Sequence, residues 1–428
     1  MTHRPLALPT MGSLVALLAL CLPAAPAGAQ GGDVRIDVKS GAIARLPLRC
    51  EPLQGPPSGP APARAADEVL AVDLQSSAVF QADRMWAHDP AATDPQFVTS
   101  GKWTVTGDKV RLDGELRDYP ARRPILVHSY DGPVAEWRRL LHRFSDDIVQ
   151  QITGERGVAD TRIAFVVCGG RDKELWLMDA DGHGARALTA DKSIAQSPSW
   201  SPEGSLLLFT SWRGGSGPQV WVMSPENRKP FLVSGRAGLN TSACYSPDGQ
   251  RVACTLSMDG NAEVYSLDAR GGSLVRLTNH RGIDTSPAWS PTGREIAFTS
   301  DRSGTPQLYV MDSDGGSVRR LTYDVDYTDS PAWSPKGDRI AFVTRVGGGF
   351  DLWTCRADGT GAAPMVTGGN NENPRWSADG RHLVFASNRD GGYGLWVTDL
   401  DGALPRKLST GGRCAVSPAW SPRRASGR

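Results

Sequence analysis

The sequence predicts a mainly β protein, a six-bladed β-propeller preceded by a smaller N-terminal α+β domain. Two observations support this prediction. The first is a repeat in which Trp-Ser-Pro or a close relative recurs every 43 to 45 residues, at Trp200, Tyr245, Trp289, Trp333, Trp376 and Trp420. The second is that each repeat divides into four short apolar runs. A period near 44 residues with four strands per unit is typical of a propeller blade.

The stretch from Thr285 to Thr322 shows the repeated unit clearly. Its apolar runs are separated by clusters of Gly, Asp, Ser and Pro, which form tight turns, and the runs are Pro287–Ser290, Glu295–Thr299, Gln307–Met311 and Ser317–Leu321. Four strands joined by such turns form a small antiparallel sheet. Because one such sheet cannot bury both of its faces, we expect it to stack against copies of itself.

The repeat count also predicts how the ring closes. The first blade begins at Thr161 and lacks its innermost strand, whereas Ser417–Ser421 at the C-terminus supplies a strand of the missing type. We therefore predict that residues 156–428 form the propeller and that its two chain ends pair in one blade. Such closure removes the open sheet edges that promote aggregation.

Two cysteines test that closure. If Trp200 lies opposite Leu206 or Leu207 across its hairpin, the same register in the closing blade places Cys414 opposite residue 168 or 169, and residue 168 is Cys168. The sequence thus predicts a Cys168–Cys414 disulfide that joins the ends of the ring. The alternative is two unpaired thiols at strand ends.

The N-terminus has the features of a secretory signal peptide. A charged start is followed by the apolar run Gly12–Leu22 and by the small residues Ala27-Gly28-Ala29. We predict that residues 1–29 are removed by cleavage after Ala29, and that the mature protein is exported without inserting into a membrane. The apolar run is too short to span a bilayer.

Residues 30–155 are predicted to form the α+β domain. Asp33–Val38 alternates polar and apolar residues, which indicates a strand or an extended arm. A helix is predicted from Ala66 to Phe80, followed by strand-like runs. The clearest helix is Pro133–Thr153, whose apolar residues recur at spacings of three and four.

The lack of common catalytic motifs argues against an enzyme. The sequence contains no G-x-S-x-G, P-loop, H-E-x-x-H or C-x-x-C motif, and its seven histidines show no metal-ligand spacing. The formal net charge of +1 gives no reason to expect nucleic acid as a partner. We therefore predict no enzymatic activity, cofactor or metal. The alternative is a metal-dependent propeller enzyme of the lactonase or lyase type, with an acidic central site.

The loops before the Trp-Ser-Pro strands are the candidate binding surface, because they converge at one mouth of the central channel. The candidate residues are Leu239, Asn240, Ser242, Asp284, Thr285, Asp326, Asp329, Asn371 and Asn373. A mouth rich in Asp and Asn fits a cation or a basic segment of a partner. The alternative is that these side chains only cap strand ends and bond exposed backbone.

Several motifs together resemble one family. Asp73-Leu74-x-x-Ser77-x-x-Phe80, the junction from Trp137 to Val166 with Thr-Gly-x-x-Gly at Thr153–Gly157, and the final Pro418–Pro422 are similar to those of the TolB family of the Tol-Pal system. The six S-P-x-W-S-P-x-G repeats fit the same family, but many propellers share them.

This resemblance implies a periplasmic, non-enzymatic, monomeric adaptor in cell-envelope integrity, outer-membrane constriction at cell division and protein import. It implies that the lipoprotein Pal, and further outer-membrane lipoproteins, bind at the mouth, where Leu239, Ser242 and Thr285 occupy matching loop positions. It implies that TolA binds the N-terminal arm, formed by Asp33, Val34, Arg35, Ile36, Asp37 and Val38.

Overall fold

The computed structural model describes residues 44–55, 63–84, 94–215, 217–400 and 405–424. The predicted signal peptide, residues 1–29, and the predicted arm, residues 33–38, lie outside these ranges. Within the described ranges, no helix is long and apolar enough to cross a membrane. The predicted fold class, a six-bladed β-propeller with a smaller α+β domain, is confirmed.

The α+β domain is a five-stranded sheet with two helices. The sheet order is β2-β1-β3-β4-β5, in which β1 runs parallel to both of its neighbours and the other pairs are antiparallel. Its elements are β1 (Leu46–Cys50), α1 (Ala63–Ser76), β2 (Phe80–Arg84), β3 (Phe97–Thr106), β4 (Lys109–Asp118), β5 (Arg123–Pro133), a short 3-10 helix (Val134–Glu136) and α2 (Trp137–Thr153). The predicted helix at 66–80 therefore ends earlier, because Phe80 belongs to β2.

Helix α2 holds this domain together. Its apolar residues Leu141, Phe144, Ile148 and Ile152 are buried on one face, where they pack against the sheet and α1. The helix ends at Gly154, whose φ of 77° is the left-handed conformation that glycine adopts without steric cost.

Each propeller blade is a four-stranded antiparallel sheet. The strands are as follows: blade 1, β29 (Ala415–Trp420), β6 (Arg162–Gly169), β7 (Asp172–Asp179) and β8 (Arg186–Ala187); blade 2, β9 (Ala195–Trp200), β10 (Leu207–Ser211), β11 (Gln219–Met223) and β12 (Pro230–Ser234); blade 3, β13 (Asn240–Tyr245), β14 (Arg251–Leu256), β15 (Glu263–Asp268) and β16 (Val275–Arg276). The remaining strands are: blade 4, β17 (Asp284–Trp289), β18 (Glu295–Ser300), β19 (Gln307–Asp312) and β20 (Arg319–Arg320); blade 5, β21 (Thr328–Trp333), β22 (Arg339–Val346), β23 (Gly349–Arg356) and β24 (Ala363–Val366); blade 6, β25 (Asn371–Trp376), β26 (His382–Ser387), β27 (Gly394–Asp399) and β28 (Arg406–Lys407).

The propeller core lies between neighbouring blades. Val264 and Leu277 of blade 3, for example, pack with Ile296 and Phe298 of blade 4 in one buried cluster. The second strand of most blades contributes a fully buried Phe, and Cys254 takes that place in blade 3. Burying these faces against one another is the main stabilisation of the ring.

The inner strand of every blade carries the same irregularity. Its third residue has a positive φ of 48° to 55°, and these residues are Ser197, Ser242, Ser286, Ser330, Asn373 and Ser417. The pairing with the second strand shifts register at this point in all six blades. A left-handed non-glycine residue costs about 1 kcal/mol or more, so the bulge is a shared feature of the fold.

The ring closes in blade 1, where β29 pairs with β6 and Trp420 lies opposite Ile163. Cys168 and Cys414 lie at the other end of this pair, with their Cα atoms 5.2 Å apart and their sulfur atoms bonded at 1.94 Å. The Cys168 N–H also donates to the Cys414 carbonyl at 3.0 Å. The disulfide therefore joins the first and last strands of the propeller.

The α+β domain contacts the end of the ring where the inner strands end. Glu155 forms ion pairs with Lys336 and Arg381, in turns at the end of the inner strands of blades 5 and 6. Arg138 of α2 forms an ion pair with Asp181 in the turn after β7 of blade 1. The opposite end of the channel is the predicted mouth, and none of these contacts between described residues lies there.

A buried ionic network lies at this junction. The Nδ1 atom of His142 lies 2.6 Å from Asp73 Oδ2, and its Nε2 atom lies 4.0 Å from Asp181 Oδ2. Although burial opposes it, the two carboxylates raise the pKa of His142 to about 9. The network therefore links α1, α2 and blade 1 through the His142 side chain.

Candidate partner-binding mouth

The mouth is the end of the channel where the inner strands begin and where the second and third strands of each blade are joined. Each inner strand starts with a fully or almost fully buried residue; these residues are Ala195, Asn240, Asp284, Thr328, Asn371 and Ala415. Three of them, Asn240, Asp284 and Asn371, are candidates that the sequence placed at the partner surface. In this structure none of the three offers a side chain to a partner.

Their burial has a structural cause. Asp284 Oδ2 accepts a hydrogen bond from Arg302 at 2.8 Å, and Asn371 Oδ1 accepts one from Arg389 at 2.7 Å. Asn240 Oδ1 accepts from the Ser234 hydroxyl at 2.6 Å. These side chains fix the start of the inner strands of blades 3, 4 and 6, in agreement with the alternative that they cap strand ends. The expectation that Asp284 faces a partner is therefore corrected.

The other candidates differ in accessibility. Leu239 and Asp326 are exposed, whereas Ser242, Thr285, Asp329 and Asn373 are half-buried. Asp329 Oδ1 accepts a hydrogen bond from Thr299 at 2.9 Å. Leu239 is 45% exposed, and Ile283, at the same position of the next blade, is 50% exposed. Two neighbouring blades therefore present an apolar side chain at the rim of the mouth.

Four arginines at the mouth were not predicted from the sequence. Arg213, Arg302, Arg345 and Arg389 lie at the end of the second strand of blades 2, 4, 5 and 6. Each guanidinium carbon lies 5.0 to 5.6 Å from the centres of two aromatic rings. In blade 1 the corresponding contact is made by Arg413, whose guanidinium carbon lies 4.6 Å from the centre of the Trp176 ring. An Arg recurs at the end of the second strand in four repeats, and this recurrence is the signal by which the sequence could have revealed these residues.

An axial channel of about 460 Å³ runs along the inner strands, from the bulge residues towards the end of the ring opposite the mouth. The bulge residues Ser197, Ser242, Ser286, Ser330 and Asn373 line it together with the Trp-Ser-Pro segments. Arg375 of blade 6 is the one charged residue among the described lining residues. Its Nη1 donates to the Pro374 carbonyl at 2.8 Å, and no carboxylate of the described chain lies within ion-pair distance.

The acidic residues of the mouth do not gather into a metal site in the described part of the chain. The one described group of three or more metal-ligating side chains is Asp73, His142 and Asp181, at the junction with the α+β domain. There Arg138 already neutralises Asp181. The alternative of a central acidic site for catalysis therefore gains no support from the geometry.

Comparisons with known proteins agree with this architecture. The family described as TolB beta propeller domain (PD40) matches residues 149–424. A Tol-Pal system protein TolB from Anaeromyxobacter dehalogenans is 37% identical over 281 residues, which cover 62% of this chain and 64% of the relative. Another from Desulfosudis oleivorans is 36% identical over 184 residues, or 43% of this chain and 41% of the relative.

The chain thus spans less than two thirds of the length of these relatives. Among solved structures, TolB from Acinetobacter baumannii superimposes with a TM-score of 0.79 at 25% identity, over 90% of this chain and 98% of that one. Because the family match covers more than half of the sequence and includes the whole ring, the chain belongs to the TolB beta propeller domain family.

Proposed function

We propose that this chain is a periplasmic, non-enzymatic adaptor of the Tol-Pal system that links inner-membrane Tol proteins to Pal, the peptidoglycan-associated lipoprotein. In this role it supports envelope integrity and outer-membrane constriction at cell division. The observation that carries the proposal is a ring of the TolB family whose described contacts with the α+β domain lie at the end opposite the mouth. A rigid ring with an accessible mouth suits protein binding.

The mouth is the proposed Pal site. Leu239 and Ile283 offer apolar contacts at its rim, while Ser242, Thr285 and Asn373 offer polar groups further in. Apolar and polar side chains occur together in protein interfaces, so this combination fits a partner site. Asn240, Asp284 and Asn371 then act indirectly, by holding the strand starts in place.

The arm at Asp33–Val38 is the proposed TolA site. Its alternation of polar and apolar residues fits the addition of a strand to the edge of a partner sheet. The disulfide between Cys168 and Cys414 fits an oxidising compartment, which supports export by way of the signal peptide at residues 1–29.

In-cell photocrosslinking tests the mouth. A photoreactive amino acid at Leu239, which is 45% exposed, should capture Pal, whereas the same probe at Val275, 52% exposed on the outer strand of blade 3, should not. Equal capture of Pal from both positions, or from neither, would contradict the assignment.

Deletion of residues 30–38 tests the arm. The deleted protein should lose TolA binding while it keeps its melting temperature and its binding of Pal. Loss of both partners by a folded deletion protein would argue against two separate sites.

A further inference from the structure

One charged side chain interrupts the lining of the axial channel. The fifth residue of each inner strand lines the channel, and all but one of these residues are small; they are Ser199, Cys244, Ala288, Ala332, Arg375 and Ala419. Arg375 therefore places a single guanidinium in the channel, beyond the bulge and on the side away from the mouth.

The guanidinium of Arg375 has few partners in the protein. Among the described residues it forms one hydrogen bond, from Nη1 to the Pro374 carbonyl, and Nε and Nη2 form none. Asp329 of blade 5 attracts it from beyond ion-pair distance, but that carboxylate already accepts a hydrogen bond from Thr299. Burial lowers the pKa of Arg375, since a charge taken out of water without a counter-ion is destabilised. The channel thus holds a cationic donor with unused hydrogen-bonding capacity.

Cys244 does not supply the missing negative charge. It occupies the same strand position on blade 3, which lies opposite blade 6 in the ring. Burial raises the pKa of its thiol to about 12, although Arg375 acts to lower it. The protonated Sγ donates to the Pro287 carbonyl at 3.0 Å. At neutral pH the described lining therefore carries a net positive charge.

Hydroxyl groups ring the channel two residues before the position of Arg375. Four of the bulge residues are serines with φ of 52° to 55°, and none of their hydroxyls forms a hydrogen bond with a described residue; these serines are Ser197, Ser242, Ser286 and Ser330. Backbone strain of this kind is concentrated at binding sites in many proteins. The hydroxyls and the guanidinium together give the channel a set of unused hydrogen-bond donors.

The channel has room for a small ion with part of its water. Its volume of about 460 Å³ is many times the roughly 30 Å³ that one water molecule occupies in the liquid. Because much of the wall is formed by Pro, Ala and Trp, a charge inside interacts with Arg375 more strongly than it would in bulk water. An anion that accepts hydrogen bonds would satisfy both kinds of donor.

We propose that the axial channel binds one small tetrahedral oxyanion of the phosphate or sulfate class, with Arg375 as the charged ligand and the bulge serines as neutral donors. The planar fork of N–H groups on Arg375 matches two oxygens of such an anion and leaves the others for the hydroxyls. The inference goes beyond the proposed function and does not depend on which partner binds at the mouth.

The same lining disfavours other small ligands. A metal cation would find one positive charge and no carboxylate among the described lining residues. A planar carboxylate such as acetate satisfies the guanidinium but offers fewer acceptor oxygens to the serines. We therefore expect a tetrahedral dianion to bind more tightly than acetate.

Isothermal titration calorimetry tests the site. The full mature chain is titrated with sodium phosphate near pH 7, in a chloride buffer of constant ionic strength, so that general screening does not change. We expect one phosphate per chain, displaced by sulfate, and acetate should bind at least tenfold more weakly. Acetate that binds as tightly as phosphate would overturn the assignment to a tetrahedral anion.

Three variants probe the donors. Arg375→Gln should bind phosphate at least tenfold more weakly, with unchanged circular dichroism, because it removes the charge. Arg375→Lys should fall between the two, since an ammonium keeps the charge but lacks the planar fork. The double variant Ser286→Ala, Ser330→Ala should weaken binding by a few fold; alanine keeps the Cβ of serine, so the positive φ is strained no further.

Arg345→Gln is the matched control. Arg345 stacks on aromatic rings and also forms no ion pair with a described residue, but it is exposed at the mouth and does not line the channel. This variant loses the same charge and should bind phosphate as tightly as the unchanged chain. Equal weakening by Arg345→Gln and Arg375→Gln would overturn the proposal, because it would show a response to net charge alone.

The remaining outcomes also decide the question. The absence of saturable phosphate binding by the unchanged chain, or full binding by Arg375→Gln, would overturn the site. If Arg375→Gln does not fold, Arg375→Lys and the double serine variant take its place, and undiminished binding by both would overturn the site. Pal binding is measured separately, and its failure would count against the proposed function while the phosphate result still decides the channel site.

Discussion

Removal of the Cys168–Cys414 disulfide should destabilise the propeller measurably. The two cysteines are 246 residues apart in sequence, so the bond closes almost the whole ring. The chain-entropy relation for a loop of this length gives about 5 kcal/mol, and native disulfides typically contribute about 2 to 4 kcal/mol. Because β29 already pairs with β6, we expect the double variant Cys168→Ser, Cys414→Ser to fold and to lose about 3 kcal/mol.

The assay is urea unfolding followed by tryptophan fluorescence, with and without a reducing agent. Reduction of the unchanged chain should reproduce the loss seen in the double variant, whereas the double variant should not respond to the reducing agent. This control excludes an effect on the remaining thiols, Cys50, Cys244, Cys254 and Cys355. A loss below about 1 kcal/mol would refute the reasoning that the bond restricts the unfolded ring.

Three further predictions concern His142, Asp284 and Gly271. The pKa of His142 rises from 6.5 to about 9 on folding, so its contribution to the free energy of unfolding is complete below pH 6.5 and is lost as the pH rises through 9. Unfolding experiments across that range should show a loss of roughly 3 kcal/mol. His142→Gln should flatten this pH profile, and an unchanged profile in the variant would count against the assignment. Asp284→Lys should destabilise the ring by more than about 3 kcal/mol, because it buries an unpaired charge beside Arg302, and a variant that melts normally would contradict this. Gly271→Ala should cost more stability than Gly260→Ala, by about 2 kcal/mol or more in melting experiments. Both glycines have positive φ, but only at Gly271 would the new Cβ collide with a backbone oxygen, that of Val233. Equal losses in the two variants would show that backbone strain alone decides.

Much of the ring could be predicted because its information is local. The four apolar runs between Thr285 and Thr322 correspond to β17, β18, β19 and β20, with ends that differ by up to three residues. Turn residues and alternation act over a few positions, so they can be recognised without knowing the fold.

The α+β domain was predicted less completely. Helix α2 was recognised from its 3.6-residue period, whereas the short parallel strands β1 and β2 were not predicted. Strand β1 is five residues long and pairs with strands that lie far away in sequence, so no local period marks it.

The mouth shows the limit of sequence reasoning most clearly. Asp284 and Asp326 look alike in the sequence, yet one is buried against Arg302 and the other is exposed. Which of them faces solvent depends on the bulge in the inner strand and on an arginine in the next turn of the blade. Neither can be read from the aspartates themselves.

The sequence by itself determined the number of blades, the closure of the ring by its last strand and the register that places Cys168 beside Cys414, because these follow from a repeat and from pairing rules along neighbouring strands. Only the tertiary structure decided which aspartates at the mouth are buried and how His142 joins the two domains. Those properties depend on contacts between residues far apart in the chain, and a carboxylate or a guanidinium acquires its role from the partner that the fold brings within a few ångströms.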